Sequence, residues 1–322
     1  MRKLITLALL VAGIAAVAAI PATAKPGGTN GKLVVNVDNS ATGTEQVYTV
    51  DPGGAKHQLL YDNAEVGQWS PDGRLVPLTL QPSGQELLLN VDTGATTDLG
   101  LPFDHYPELA LFCGVWSPDG SRLACEGYGQ TDGSLNGVYT VRSSDGGGLR
   151  RVTSDPNGDD CPSDYSPNGK RLVITRANDT SYEIDTVKVD GSGLTHITQA
   201  GTDFDFCSGS WSPQGNEILF SAHFPATDRS TIWVAHSDGS GLRKIPVPGC
   251  GGPRSDPSSI GCSGPGWSPD GRKIAFSRHT LLPTEQFDLY TVNADGSGLF
   301  QVTNTPDLQE GGGDWGTHPV TP

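Results

Sequence analysis

Acidic residues recur in the segments that would join successive strands, and they are the first candidates for chemistry. The candidate binding residues are Asp104, His105, Asp160, Asp203, Asp205 and Asp314. Carboxylates that converge on one opening can bind a divalent cation such as calcium, or a basic protein partner. The alternative is a solvated loop surface on an acidic protein of formal net charge −15, a charge that disfavours nucleic acid and anionic membranes as partners.

No catalytic residue is assigned. The sequence has no Gly-x-Ser-x-Gly elbow, phosphate-binding loop or His-Glu-x-x-His motif. The segment 155–160 alternates oxygen-bearing side chains like a calcium loop. However, Asp160 stands where an EF-hand needs Gly, and Ser166 where it needs Glu. A looser cation site there remains an alternative to an Asx-rich connecting loop.

Six cysteines provide a second group of reactive side chains. Four of them precede predicted first strands and could hold zinc, namely Cys113, Cys161, Cys207 and Cys262. An oxidising compartment favours disulfides instead, and so does the absence of Cys-x-x-Cys spacing. Cys250 and Cys262 share one Gly/Pro-rich connection and should pair. Cys113 and Cys125 should face each other across a hairpin, which leaves Cys161 with Cys207 by elimination.

Residues 1–24 indicate export of the chain. Arg2 and Lys3 precede an apolar run from Leu4 to Ile20, and Ala22-Thr23-Ala24 is a small-x-small cleavage site. We therefore predict a Sec-type signal peptide and a secreted or periplasmic protein of bacterial type. An uncleaved membrane anchor is the alternative, because the apolar run is nearly long enough to span a bilayer.

One motif organises the remaining sequence as a repeat. Trp-Ser-Pro-Asp-Gly or a close variant begins at Trp69, Trp116, Tyr165, Trp211 and Trp267. An incomplete copy surrounds Trp315, and the spacings between successive aromatic residues are 47, 49, 46, 56 and 48 residues. Such a period indicates a repeat architecture. Ser, Pro, Asx and Gly in this order suit a type I turn, so each motif predicts the hairpin between the first two strands of a repeat.

The count of predicted strands favours a closed ring. Each complete repeat has four strands, with a second turn of the Asp-Gly-Ser-Gly type between the third and fourth. Three strands at the start and one at the end form a sixth repeat, so residues 25–322 predict a single all-β, six-bladed propeller. The residue two before each aromatic is small or compact and should let the blades converge on the axis: Gly67, Gly114, Ser163, Gly209, Pro265 and Gly313.

The Trp-Ser-Pro-Asp-Gly hairpin, the apolar strand after it and the later Asp-Gly-Ser-Gly turn resemble the TolB-like propeller family over about residues 32–316. The resemblance implies a non-catalytic, monomeric binding or scaffold module with a protein or cell-envelope partner. TolB proteins carry an α/β domain before the propeller, whereas only a few residues separate Ala24 from the first predicted strand. The alternative is a metal-dependent propeller enzyme, of the lactonase or sugar lyase type, with its ion in the channel. If the chain is a binding module, neutralising Asp160, Asp203 and Asp205 should weaken partner or metal binding and leave folding intact.

Overall fold

Six four-stranded antiparallel sheets are arranged as the blades of a β-propeller. The computed structural model describes residues 28–39, 42–101, 104–178, 181–198, 203–204, 207–223, 228–283 and 285–320. Within these residues the regular structure is 25 β-strands and a one-turn 3-10 helix at Gly133–Leu135. No helix in these ranges is long and apolar enough to cross a membrane.

The first three blades follow one another along the chain, each from its inner to its outer strand. The first blade contains β4 (Ala64–Val66), β5 (Leu75–Leu80), β6 (Glu86–Asn90) and β7 (Thr96–Asp98). The second contains β8 (Leu109–Trp116), β9 (Arg122–Gly129), β10 (Gly137–Arg142) and β11 (Arg150–Arg151). The third contains β12 (Asp159–Tyr165), β13 (Arg171–Asn178), β14 (Ser181–Lys188) and β15 (Thr195–His196).

The last three blades include one irregular sheet and one built from both ends of the chain. The fourth has a divided inner edge, β16 (Asp203–Phe204) and β17 (Ser210–Trp211), followed by β18 (Glu217–His223), β19 (Thr231–His236) and β20 (Arg243–Lys244). The fifth contains β21 (Gly261–Trp267), β22 (Lys273–Thr280), β23 (Gln286–Asn293) and β24 (Phe300–Gln301). The sixth joins β25 (Leu308–Trp315) to β1 (Leu33–Asn39), β2 (Thr44–Val50) and β3 (Gln58–Asp62).

The repeated motif forms its turn through one serine hydroxyl. In the first blade the Gly73 amide donates to the Ser70 carbonyl at 2.8 Å, and Gly73 has a φ of 70°. The Ser70 Oγ accepts the Leu75 amide at 2.8 Å and donates to the Asp72 carboxylate at 2.6 Å. The side chain therefore satisfies a backbone donor where the second strand begins, which explains why Ser and Asx recur together.

The core lies between the blades. The buried Trp116 of the second blade packs in one cluster with Leu88 and Leu99 of the first blade and with Leu111 beside it. Equivalent clusters join the other neighbouring blades, including the last to the first through Val34 and Trp69. Each aromatic of the motif therefore fills the wedge between two sheets. The outer strands shorten to two residues in four of the blades, because their outer edge has no neighbouring sheet to pair with.

Three disulfides join the six cysteines. They connect Cys113 with Cys125, Cys161 with Cys207, and Cys250 with Cys262, at Cα–Cα distances of 4.0, 5.4 and 5.8 Å. These are the same pairs that the sequence suggests. The Cys161–Cys207 bond links the inner strand of the third blade to the divided inner edge of the fourth. Cys207 has a φ of 54°, a left-handed backbone conformation between β16 and β17, which is where the edge is divided.

Candidate functional site: the central channel and an acidic rim

The inner strands of all six blades enclose a central channel of about 550 Å³. Its lining includes the six small positions of the repeat: Gly67, Gly114, Ser163, Gly209, Pro265 and Gly313. A Cβ on Gly67 would stand 2.5 Å from the Gly114 Cα, and one on Gly313 would stand 2.8 Å from the Val34 carbonyl oxygen. The expectation that small residues let the blades converge therefore agrees with the structure.

A β-bulge recurs at this level of the inner strands. The register between β8 and β9 shifts between Cys113 and Val115, and the register between β12 and β13 shifts between Pro162 and Asp164. Similar shifts occur in the fifth and sixth blades. A bulge adds a residue and reorients the side chains that follow it. In the third and sixth blades, the residue between the bulge and the aromatic contacts the next blade.

Two carboxylates, Asp164 and Asp314, occupy this position and bind backbone amides. Asp164 accepts the Trp211 amide of the fourth blade at 2.9 Å, and Asp314 accepts the Trp69 amide of the first blade at 3.0 Å. Both carboxylates line a pocket next to the Trp-Ser-Pro-Asp-Gly turns rather than next to the blade-to-blade connections. Each therefore joins two adjacent blades, and Asp314 lies toward the turn end of the channel. Asp164 is not among the six candidate binding residues predicted from the sequence, although its position before Tyr165 matches that of Asp314 before Trp315.

Asp160 is part of a buried ion pair. Its side chain is fully covered and makes two contacts with the Arg176 guanidinium, at 2.7 and 2.9 Å. The two residues face each other across the β12–β13 ladder, and Asp155 lies 3.6 Å from the same guanidinium. Neutralising Asp160 would leave part of the Arg176 charge unpaired. The expectation that its loss leaves folding intact is therefore at odds with this environment.

Of the four remaining predicted residues, the structure describes Asp104, His105 and the backbone of Asp203. Asp104 is exposed, and His105 places Nε2 2.9 Å from the Asp145 carbonyl oxygen, which belongs to a turn between third and fourth strands. Asp203 lies in β16, where its backbone pairs with His223. Asp205 lies outside the described residues. Of the candidates whose side chains are described, Asp104 and His105 are neighbours in the chain, whereas Asp160 and Asp314 bind groups in other parts of the fold.

A different set of acids does come together, at the junction of the sixth and first blades. We call it the acidic rim, and its members are Asp38, Glu45 and Glu65, all exposed. Asp38 and Glu45 are direct partners in the β1–β2 ladder. Asp62 lies on the opposite face of that sheet, where it accepts a hydrogen bond from Gln46 at 2.9 Å. Burial, together with the Glu65 and Asp38 charges, raises the pKa of Glu45. None of these acids is among the six candidate binding residues predicted from the sequence, because they come together only across the β1–β2 ladder and at the junction of two blades.

Three further carboxyls are buried away from the channel. Burial raises the pKa of Glu86 to about 8, and that of Glu126 and Glu310 to about 7. Their partners are hydroxyls and backbone amides, such as the Tyr128 hydroxyl that donates to Glu126 at 2.6 Å. These groups shape the pH dependence of stability, but none of them lines the cavity described above.

Comparisons with known proteins place these features in context. No protein-family model matches the chain. It is 34% identical over 119 residues to the Tol-Pal system protein TolB of Anaeromyxobacter dehalogenans, an alignment that covers 35% of this chain. The chain spans about a quarter of the length of the curated TolB relatives that it matches, since the alignments cover 25% of each.

Solved structures agree in fold. TolB of Acinetobacter baumannii superposes with a TM-score of 0.67 at 16% identity, over 88% of this chain and 66% of that one. A putative TolB of Agrobacterium tumefaciens superposes with a TM-score of 0.60 at 20% identity, over 89% and 92%. Together with the Trp-Ser-Pro-Asp-Gly repeats and the six blades, these similarities show that the chain folds as a six-bladed β-propeller similar to that of TolB proteins.

Proposed function

We propose that this propeller is a non-catalytic binding module of the cell envelope or extracellular space, which recognises a basic protein partner through the acidic rim. One observation carries the proposal. Asp38 and Glu45 are cross-strand partners of like charge, with Glu65 near enough to raise the Glu45 pKa further. Like charges directly opposite one another in a ladder are destabilising. A cationic partner would relieve this repulsion.

The compartment and the relatives support the same function. Three disulfides suit an oxidising environment outside the cytoplasm. The signal peptide predicted for residues 1–24 lies outside the described residues and stays a prediction. The relative from Anaeromyxobacter is named for the Tol-Pal system, and by analogy we propose a protein partner in the envelope for this chain.

The alternative, an enzyme with a metal ion in the channel, has less support from the channel itself. Such an ion would need several Asp, Glu, Asn or His ligands from different blades. Among the described residues that line the cavity, only Asp314 and Asn36 have side chains of these types. One carboxylate oxygen of Asp314 also accepts a hydrogen bond from the Trp69 amide. Asp314 therefore joins the sixth blade to the first.

Paired charge variants test the proposal. Glu45→Gln with Glu65→Gln neutralises the rim. The matched control, Asp72→Asn with Asp119→Asn, removes the same charge from the turn face, where the third repeat already has Asn168 in the same hydrogen bond. The probe is a fluorescent lysine-rich peptide, measured by anisotropy from low to high salt. The rim variant should bind more weakly and with a shallower salt dependence, while the control should stay close to wild type.

The outcome against the proposal is equal weakening by both variants, because this would mean that net charge alone attracts the peptide. A pull-down from envelope extract with the wild-type propeller and the same two variants then asks for the natural partner. A protein retained by wild type and control but lost by the rim variant supports the proposal. One retained equally by all three would place binding elsewhere.

A further inference from the structure

A cluster of two carboxylates and one imidazole lies on the outer half of the third blade, away from the channel. Glu183 and Asp185 alternate on β14, so their side chains share one face of the sheet. His196 on β15 is the direct ladder partner of Asp185. The His196 Nδ1 atom lies 2.9 Å from Asp185 Oδ1 and 3.6 Å from Glu183 Oε2. Three potential ligand atoms thus converge from two neighbouring strands.

Asp185 has an incompletely satisfied carboxylate. Its side chain is 0% exposed, and its Oδ2 atom is buried without a hydrogen-bond partner. A buried carboxylate oxygen that lacks a donor costs free energy, and burial accordingly raises the Asp185 pKa. The same carboxylate group contacts His196 through Oδ1, so the unpartnered oxygen belongs to the cluster itself.

The nearest fixed cation does not complete this cluster. Arg176 lies close enough to lower the Asp185 pKa, but its guanidinium is committed to Asp160 at 2.7 and 2.9 Å and has Asp155 at 3.6 Å. Two carboxylates already surround that one positive charge. Glu183 and Asp185 therefore contribute two further negative charges, and His196 brings at most one positive charge to oppose them.

We propose that Glu183, Asp185 and His196 form a binding site for a divalent transition metal, with zinc as the metal of choice. Zinc binds His nitrogen and carboxylate oxygen at about 2.0–2.2 Å, so two ligands on a tetrahedral ion lie about 3.3 Å apart. The distances of 2.9 and 3.6 Å bracket this value. The side chain of His196 is 63% exposed, which leaves an open side for entry of the ion and for a water ligand.

The ion would stabilise the pairing of the outermost strand of the blade with β14. β15 has only two residues, Thr195–His196, and His196 would then be held to β14 by metal bonds as well as by the ladder. Because the ion binds the folded state, zinc should raise the melting temperature of the protein. The site lies on a different part of the molecule from the acidic rim, and it does not depend on the proposed function.

Calorimetric titration of the chelator-treated full-length protein with zinc chloride tests the site. Wild type should bind about one zinc ion and show a higher melting temperature with zinc. His196→Ala should weaken zinc binding by more than about tenfold and abolish the thermal shift. His236→Ala removes an exposed histidine at the end of β19 in the next blade, and should behave as wild type. Glu183→Gln is a second ligand variant and guards against a local effect of the His196 change.

Two results would overturn the proposal. One is a wild-type protein that neither binds zinc nor gains thermal stability from it. The other is zinc binding of equal strength in His196→Ala and wild type, with both proteins shown to be folded by circular dichroism. Loss of the site in both the His196 and Glu183 variants, with retention in the His236 control, supports it.

Discussion

Glu86 is a carboxyl group whose burial should make stability fall with rising pH. It begins β6 and is 0% exposed. Its Oε1 accepts the Thr79 hydroxyl at 2.6 Å within the first blade, and its Oε2 accepts the Cys113 amide of the second blade at 3.2 Å. Burial raises its pKa to about 8 from the ordinary value of 4.5, and the two hydrogen bonds offset only part of that increase.

The sign and size of the effect follow from linkage. The folded-state pKa of Glu86 is above its unfolded value, so the stability it contributes is fully present below about pH 4.5. It is lost as the pH rises through about 8. One proton is worth about 1.4 kcal/mol per pH unit, so Glu86 alone should lower the free energy of unfolding by about 2.5 kcal/mol between pH 5 and pH 7.

Glu86→Gln removes this titration and keeps the shape. The Gln carbonyl can accept the Cys113 amide, and its NH₂ group can donate to the Thr79 hydroxyl, much as a protonated acid would. Urea unfolding of the disulfide-intact protein at pH 5, 6, 7 and 8 should therefore show a stability advantage of the variant that grows with pH. Glu108→Gln, which removes an exposed carboxylate, is the control and should show no such trend. A difference between Glu86→Gln and wild type that stays constant from pH 5 to pH 8 would refute the reasoning.

Four further predictions concern the fold. Asp160→Asn should lower the free energy of unfolding by about 2–4 kcal/mol, because it breaks a largely buried pair with Arg176, whereas Asp159→Asn next to it should cost less; chemical denaturation compares the two. Replacing Cys161 and Cys207 by Ser should cost about 4 kcal/mol and replacing Cys250 and Cys262 about 3, since the loops span 46 and 12 residues. Non-reducing peptide mapping of wild type should recover Cys250 joined to Cys262, and any other partner would contradict that pairing. A chain that ends at Glu310 loses the half of β25 that pairs with Leu33–Asn36, so it should unfold less cooperatively or aggregate; melting like the full chain would argue against its role in closing the ring.

Much of the architecture could be predicted from the sequence because it depends on residues that are close together in the chain. The turn at Ser70–Gly73 needs a hydroxyl, a proline, an Asx and a residue tolerant of positive φ, and these types recur at a regular interval. Strand boundaries such as Leu75–Leu80 and Thr231–His236 follow directly from the turn positions. The small residues along the channel were also visible, since close approach of six strands leaves room for little else.

The pairing and burial of each carboxylate could not be predicted in the same way, because they depend on neighbours that are distant in the chain. Asp160 and Asp314 look alike in sequence, yet one is paired with Arg176 sixteen residues away and the other with a Trp amide 245 residues away. Asp38 and Glu65 come together only because the ring brings the sixth blade against the first. The sequence by itself determined the repeat, its turns and the number of blades, since these rest on contacts within one repeat. Only the tertiary structure decided which acids are buried, paired or exposed, because solvation and charge pairing are set by groups from other blades.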